Sequence, residues 1–224
     1  LCPPDRSCIP SRQRAAEQKL SCDDNLRVET RCEENGLMLT SEVQVVGGPE
    51  ERQCLLTVDA RSPGHAWMVL SVRPCNPEGI SFIHDISIDA DRTAWTVNKK
   101  ERLFFSSAPD DQAFSRYHDG DVFRHIVSNT MQHREGISCS VGLATGAALF
   151  KLTPDSGRRI YLTVPLKKGA ASARPEPVSS GAQSCWHRSL SGACRASVPD
   201  VRFQLLYDAA VRTLLLHTAQ DIYA

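Results

Sequence analysis

Apolar and polar residues alternate on both sides of Glu34-Asn35-Gly36. Leu26, Val28, Thr30 and Cys32 lead into it, and Leu37, Leu39, Ser41, Val43 and Val45 lead out. A period of two places one set of side chains on one face of a strand. Asn-Gly supplies the positive φ that a two-residue turn needs. The stretch predicts a β hairpin with one buried face. Residues 54–59 and 66–72 flank Arg61-Ser-Pro-Gly64 and predict a second hairpin. Further strands are read at 80–88, 93–97, 103–105, 137–143, 147–152 and 159–165, with a tight bend within Gly142-Leu-Ala-Thr-Gly146. Segment 122–130 fits either a strand or a helix.

Three helices are expected. Residues 12–20 follow Ser11, a plausible N-cap. Residues 109–117 begin with Asp110 and Asp111, carboxylates that favour a helix N-terminus. At the C-terminal end, 201–207 alternate as a strand would. Residues 208–223 space Ala209, Leu215 or Leu216, Ala219 and Ile222 along one helix face, and a C-terminal helix is the reading adopted. The fold class is therefore mainly β, a sandwich or barrel-like body with a short N-terminal helix and a C-terminal helix. The organisation predicted is a cysteine-bearing segment over 1–25, a β domain over 26–166, a linker over 167–184 rich in Ala, Ser, Gly and Pro, and a disulfide loop with a helix over 185–224.

Nine cysteines are spread over the 224 residues, and no two have C-x-x-C spacing. Zinc sites and redox motifs cluster their cysteines, so the dispersal points to disulfides in an oxidising compartment. Cys54 and Cys75 stand symmetrically about the turn of the second hairpin and predict a cross-strand bridge. Cys185 and Cys194 predict a small loop bridge. Cys8 and Cys22 flank the first helix and form a third, geometrically harder pair. The odd count leaves one thiol over. The sequence opens on Leu1, and no apolar run reaches the roughly 20 residues of a membrane span. It reads as a chain whose targeting segment has been removed. No Asn-x-Ser/Thr occurs, which favours a bacterial envelope; the expected location is periplasmic or extracellular.

Lys plus Arg equals Asp plus Glu at 26 each. A nucleic-acid partner is not expected, since phosphate neutralisation asks for a basic surplus. Asp85, Asp89, Asp91, Asp119 and Asp121 lie near turns without the spacing of a calcium loop. Ser184-Cys185-Trp186 matches three residues around a papain-type nucleophile, but the upstream part of that motif is missing. The seven histidines are scattered, with no H-E-x-x-H. No catalytic residue, metal site or cofactor is assigned.

Ile86-Ser-Ile-Asp89 before a turn, Phe114-Ser-Arg-Tyr-His-Asp-Gly120, and Val141-Gly-Leu-Ala-Thr-Gly-Ala-Ala-Leu149 follow one another in residues 80–152. This order resembles bacterial periplasmic β domains of the invasion-associated locus B kind or the type VI secretion accessory kind. The Asp-Gly of that pattern is Asp89-Ala90 here, and its later Cys-Gly-Cys region has no clean counterpart. The resemblance implies export and a non-catalytic envelope role. The function expected is a non-enzymatic module that binds another protein or an envelope component. The alternatives are a hydrolase whose site is assembled from distant residues, and a carbohydrate-binding sandwich stacking sugars on Trp67, Trp95 or Trp186.

Overall fold

A computed structural model describes residues 7–21, 26–47, 52–76, 78–132, 134–166, 190–216, 218–219 and 222–223. The chain is mainly β. The first hairpin forms as its alternation predicts: β2 (Arg27–Glu34) pairs antiparallel with β3 (Leu37–Val46). Asn35 and Gly36 both take positive φ, 52° and 79°, the two-residue turn whose twist matches the flanking strands. A Cβ on Gly36 would meet Pro63 Cγ at 3.2 Å, so the turn also needs a residue without a side chain.

Two sheets pack face to face. The larger runs β1 (Glu17–Ser21), β2, β3, β4 (Gln53–Arg61), β14 (Arg158–Pro165), β10 (Glu101–Phe105), β9 (Ala94–Val97), β8 (Asp85–Ile88), β12 (Gly136–Ser138). The smaller has three strands, β11 (Asp111–Ser115), β13 (Thr145–Leu152) and β5 (Ala66–Val72). Between them lies one apolar cluster. Val58, Ile86, Trp95, Phe105 and Ile160 come from the large sheet, and Met68, Phe114, Ala148, Phe150 and Leu152 from the small one. Trp95 is fully buried; its indole N–H donates to Gln112 Oε1 at 3.1 Å, and its ring meets Phe105 edge-on at 5.2 Å.

A helix closes the outside of the small sheet. Over 122–130 the ambiguous segment resolves into α1 (Val122–Ser128). Asp121 caps it by accepting the Phe123 amide at 2.8 Å, and Asn129 ends it in the left-handed region. Val122 packs with Ala113, Ala147 and Leu149, with Ile126 and Met131 at the margin. A second helix, α2 (Val201–Leu216), occupies the C-terminal part. Two-residue strands complete the set: β6 (Cys75–Asn76) pairs with β7 (Gly79–Ile80), and β15 (Thr218–Ala219) with β16 (Ile222–Tyr223).

Several expectations need correction. No helix forms over 12–20. A 3₁₀ turn at Pro10–Arg12 is followed by β1. That segment has no apolar stripe at helical spacing, whereas pairing with β2 satisfies its backbone groups. The sheet thus begins at Glu17, inside the segment read as a separate N-terminal piece. The helix expected over 109–117 is β11, whose Gln112, Ala113, Phe114 and Ser115 are all buried. A strand covered on one side by the large sheet and on the other by α1 has no exposed face to show as alternation.

The second hairpin exists only as two strands. β4 pairs with β3 and β14, and β5 pairs with β13. The turn between them is a corner where the chain crosses from one sheet to the other. Buried Ser62 holds this corner, its Oγ accepting the Gly64 amide at 3.2 Å. The predicted Cys54–Cys75 bridge fails with the pairing. Both cysteines are free, Cys54 on the large sheet and Cys75 on the two-residue β6. Residues 137–143 and 147–152 do not pair with each other either. β12 edges the large sheet, β13 centres the small one, and the bend falls at Gly142 (φ 76°) while Gly146 lies inside β13. Of the 80–88 strand, only 85–88 joins the large sheet. The C-terminal helix begins at Val201, so the alternation over 201–207 does not mark a strand.

Candidate binding surface

The registers align one apolar row across six strands. Phe105 on β10 faces Leu162 on β14, which faces Leu56 on β4, then Val43 on β3, Val28 on β2 and Leu20 on β1. Directly paired residues share a face of the sheet, so all six point to the side that carries the core. At about 4.8 Å per strand the row is about 24 Å wide. The three-stranded sheet does not cover its full width. Phe105 is 2% exposed, Leu56 and Leu162 pack partly against the core, Val43 is 39% exposed and Leu20 46%. A parallel row runs Val45–Cys54–Val164, with Val45 43% exposed. Burial in this row pushes the Cys54 thiol up from its ordinary value.

The opposite face of the same strands is polar over β2 and β3, while on β4 and β14 it carries Leu55 and Thr163, which are 2% and 3% exposed. Glu29, Glu42 and Thr57 form one row there, and Arg31, Thr40 and Asp59 another. Arg27 pairs with Glu42 at 3.7 Å, and Arg159 Nε donates to both oxygens of Asp59 at 2.8 and 2.9 Å. These bonds to Asp59, with Tyr161 beside it, hold the Arg159 guanidinium above its ordinary range. Over β2 and β3 one face is built for water and the other is core-like, yet the core-like face is partly open.

The cysteines fall as follows. Cys8, Cys32, Cys54, Cys75, Cys139 and Cys194 are free. Cys22 and Cys185 lie outside the described residues, and with them the Cys8–Cys22 and Cys185–Cys194 predictions. Cys194 sits beside α2, where its carbonyl accepts from the Tyr207 hydroxyl at 2.6 Å. Cys8 meets Cys32 instead, at 2.9 Å between sulfurs.

Among the described residues, Cys139 is a thiol surrounded by backbone amides. Burial raises it, but the amides of Tyr117, Leu143, Val141 and Gly142 together hold it below its ordinary value. The arrangement lowers a thiol as nucleophilic cysteines are lowered. The residue is only 4% exposed, inside the Cys139–Gly142 turn that leads into β13, so a substrate has no approach to it.

Among the described residues no group of three or more His, Cys, Asp or Glu gathers as a metal would require. Three of the turn aspartates have structural partners: Asp89 accepts the Ala94 amide at 2.9 Å, Asp119 pairs with Arg116 at 3.1 Å, and Asp121 caps α1 and pairs with Arg73. Of the three tryptophans, Trp95 is sealed in the core and Trp186 lies outside the described residues. Trp67 is 42% exposed on the outer face of β5, but the Lys151 ammonium stands 5.6 Å above its ring. Among the described residues no helix is long and apolar enough to cross a membrane.

Fold and surface together define a β sandwich with an overhanging large sheet. No family model and no curated protein matches the chain. Solved structures similar to it include a bacterial glucoamylase in complex with acarbose, at 10% identity and a TM-score of 0.46, covering 69% of this chain and 24% of that one. Another is a candidate kojibiose phosphorylase from the human microbiome, at 5% identity and a TM-score of 0.34, covering 67% of this chain and 19% of that one. The chain thus spans about a quarter or less of the length of either structure.

Proposed function

We propose that this chain is a non-enzymatic β module, exported to an oxidising compartment, that binds another protein or an envelope component through the open end of its apolar row. The observation that carries the reading is the continuity of that row. The same face that forms the core at Phe105 reaches water at Val43, Val45 and Leu20. Covering apolar surface yields about 25 cal/mol per Å², so this end of the sheet gains free energy from any apolar partner of matching shape. Large exposed patches on folded proteins mark such contacts. Export rests on the number and spread of the cysteines. The envelope families that residues 80–152 resemble fit the same role.

The test is site-specific photo-crosslinking. p-Benzoylphenylalanine is placed at Val43 on the open apolar face, and separately at Glu29 on the polar face of the adjoining strand. On irradiation of intact source cells, the Val43 form is expected to yield a discrete adduct with one protein and the Glu29 form none. Adding Leu20→Lys and Val45→Lys is expected to abolish the Val43 adduct. No adduct at Val43, or equal adducts at both positions, contradicts the reading.

A further inference from the structure

We infer that Cys8 and Cys32 are a redox pair, which an external disulfide converts into a bridge that locks the N-terminal arm onto β2. The two sulfurs are 2.9 Å apart across 24 positions of chain. A bonded pair needs about 2.05 Å, so closure asks for a movement of under about 1 Å. Cys32 is 1% exposed and stands on the inner face of β2, opposite Leu39. Cys8 belongs to the arm, residues 7–16, which precedes β1. Gln13 hydrogen-bonds Glu34, the Arg12 guanidinium lies 5.7 Å over the Phe123 ring, and Arg12 and Ile9 close the 3₁₀ turn. The arm and β2 line a recess of about 420 Å³, with Ile9 and Gln13 on the arm and Glu33 and Glu34 on β2.

The exchange balances with a low-molecular-weight disulfide as oxidant. The more accessible Cys8 loses its proton and attacks one sulfur of the oxidant, releasing one thiol and forming a mixed disulfide. Cys32, already in contact, then loses its proton and attacks the Cys8 sulfur. The Cys8–Cys32 bond forms, the mixed disulfide breaks, and a second thiol leaves. Two protein thiols are oxidised and one disulfide becomes two thiols. Burial, and then the hydrogen bond with Cys32, push the Cys8 thiol up to about 12, with the Glu34 carboxylate adding to the rise. Near neutral pH Cys8 therefore rests as an uncharged thiol, and the exchange is slow rather than absent, since the thiolate is the attacking form. This inference does not depend on the partner proposed above.

Non-reducing peptide mapping tests it. The full chain is equilibrated with oxidised glutathione, quenched with N-ethylmaleimide, denatured and digested with trypsin. Cleavage after Arg6, Arg12, Arg31 and Arg52 puts Cys8 in peptide 7–12 and Cys32 in peptide 32–52, with no other cysteine in either. The expected product is these two peptides joined, two hydrogens lighter than their sum. Limited proteolysis of the native chain is expected to cut after Arg12 and Arg14 many-fold more slowly when oxidised. Cys8→Ser, which spares the buried residue, is expected to remove both effects. Both cysteines recovered alkylated, Cys8 joined to Cys2 or Cys22, or equal cleavage rates in the two states would overturn the inference.

Discussion

Trp95→Ala is expected to destabilise the chain by about 4 kcal/mol, within the ~3–5 kcal/mol range of large aromatic truncations in packed cores. The Trp95 indole touches both sheets at once. It lies on β9 of the large sheet and meets Phe114 of the small one at 5.0 Å, as well as Phe105 of its own sheet. Removing it leaves a void between layers that cannot collapse without moving a sheet. It also takes the donor from Gln112, a buried amide 3% exposed. An unpaired buried polar group alone costs about 1–3 kcal/mol. Trp95→Phe separates the two effects, because it refills part of the space and still leaves Gln112 unpaired; its expected cost is about 1–3 kcal/mol. Urea unfolding measures both. An alanine variant within about 1 kcal/mol of the parent would mean that the sheets do not meet at this ring.

Oxidation of Cys8 and Cys32 is expected to stabilise the chain by about 3.5 kcal/mol, the chain-entropy value for closing a loop of about 25 residues. For a domain of this size, ~2–4 °C per kcal/mol makes that a rise of roughly 7–14 °C in Tm. Melting curves with and without dithiothreitol should differ by that amount, and the Cys8→Ser form should melt at one temperature in both. The effect acts largely on the unfolded chain, so it does not require new contacts in the folded one. Coincident curves for the parent chain would leave the bridge without a stabilising role.

Much of the sheet structure was legible in the residues, because exposed faces leave a signature of period two. The β2–β3 hairpin was readable for this reason, with Asn35-Gly36 adding a turn that few other residues can make. Pairing was less legible. β4 and β5 look like a hairpin because each alternates and Pro63-Gly64 lies between them, but nothing local tells a hairpin turn from a sandwich corner. The Cys54–Cys75 prediction inherited that ambiguity. β11 misled in another way: buried on both faces, it shows no alternation, and Asp110-Asp111 mimics a helix start. Asp110 instead accepts the Lys151 amide of β13 at 2.8 Å and pairs with Arg158 of β14, tying the start of β11 to its own sheet and to the large one. Burial raises the Asp110 carboxyl, but these two partners together hold it below the usual range. The binding surface and the Cys8–Cys32 contact were out of reach of the sequence, since both depend on which strands lie side by side over long separations.

One apolar row is core at one end and open at the other. An alanine series along it, Phe105, Leu162, Leu56, Val43 and Leu20, measured by urea unfolding, tests this most directly. The cost is expected to fall from about 3–5 kcal/mol at Phe105 to within about 0.5 kcal/mol at Val43 and Leu20, with Leu162 and Leu56 between. Equal, large costs along the whole row would show that its far end is already covered, and the account of this face as a docking surface would be contradicted.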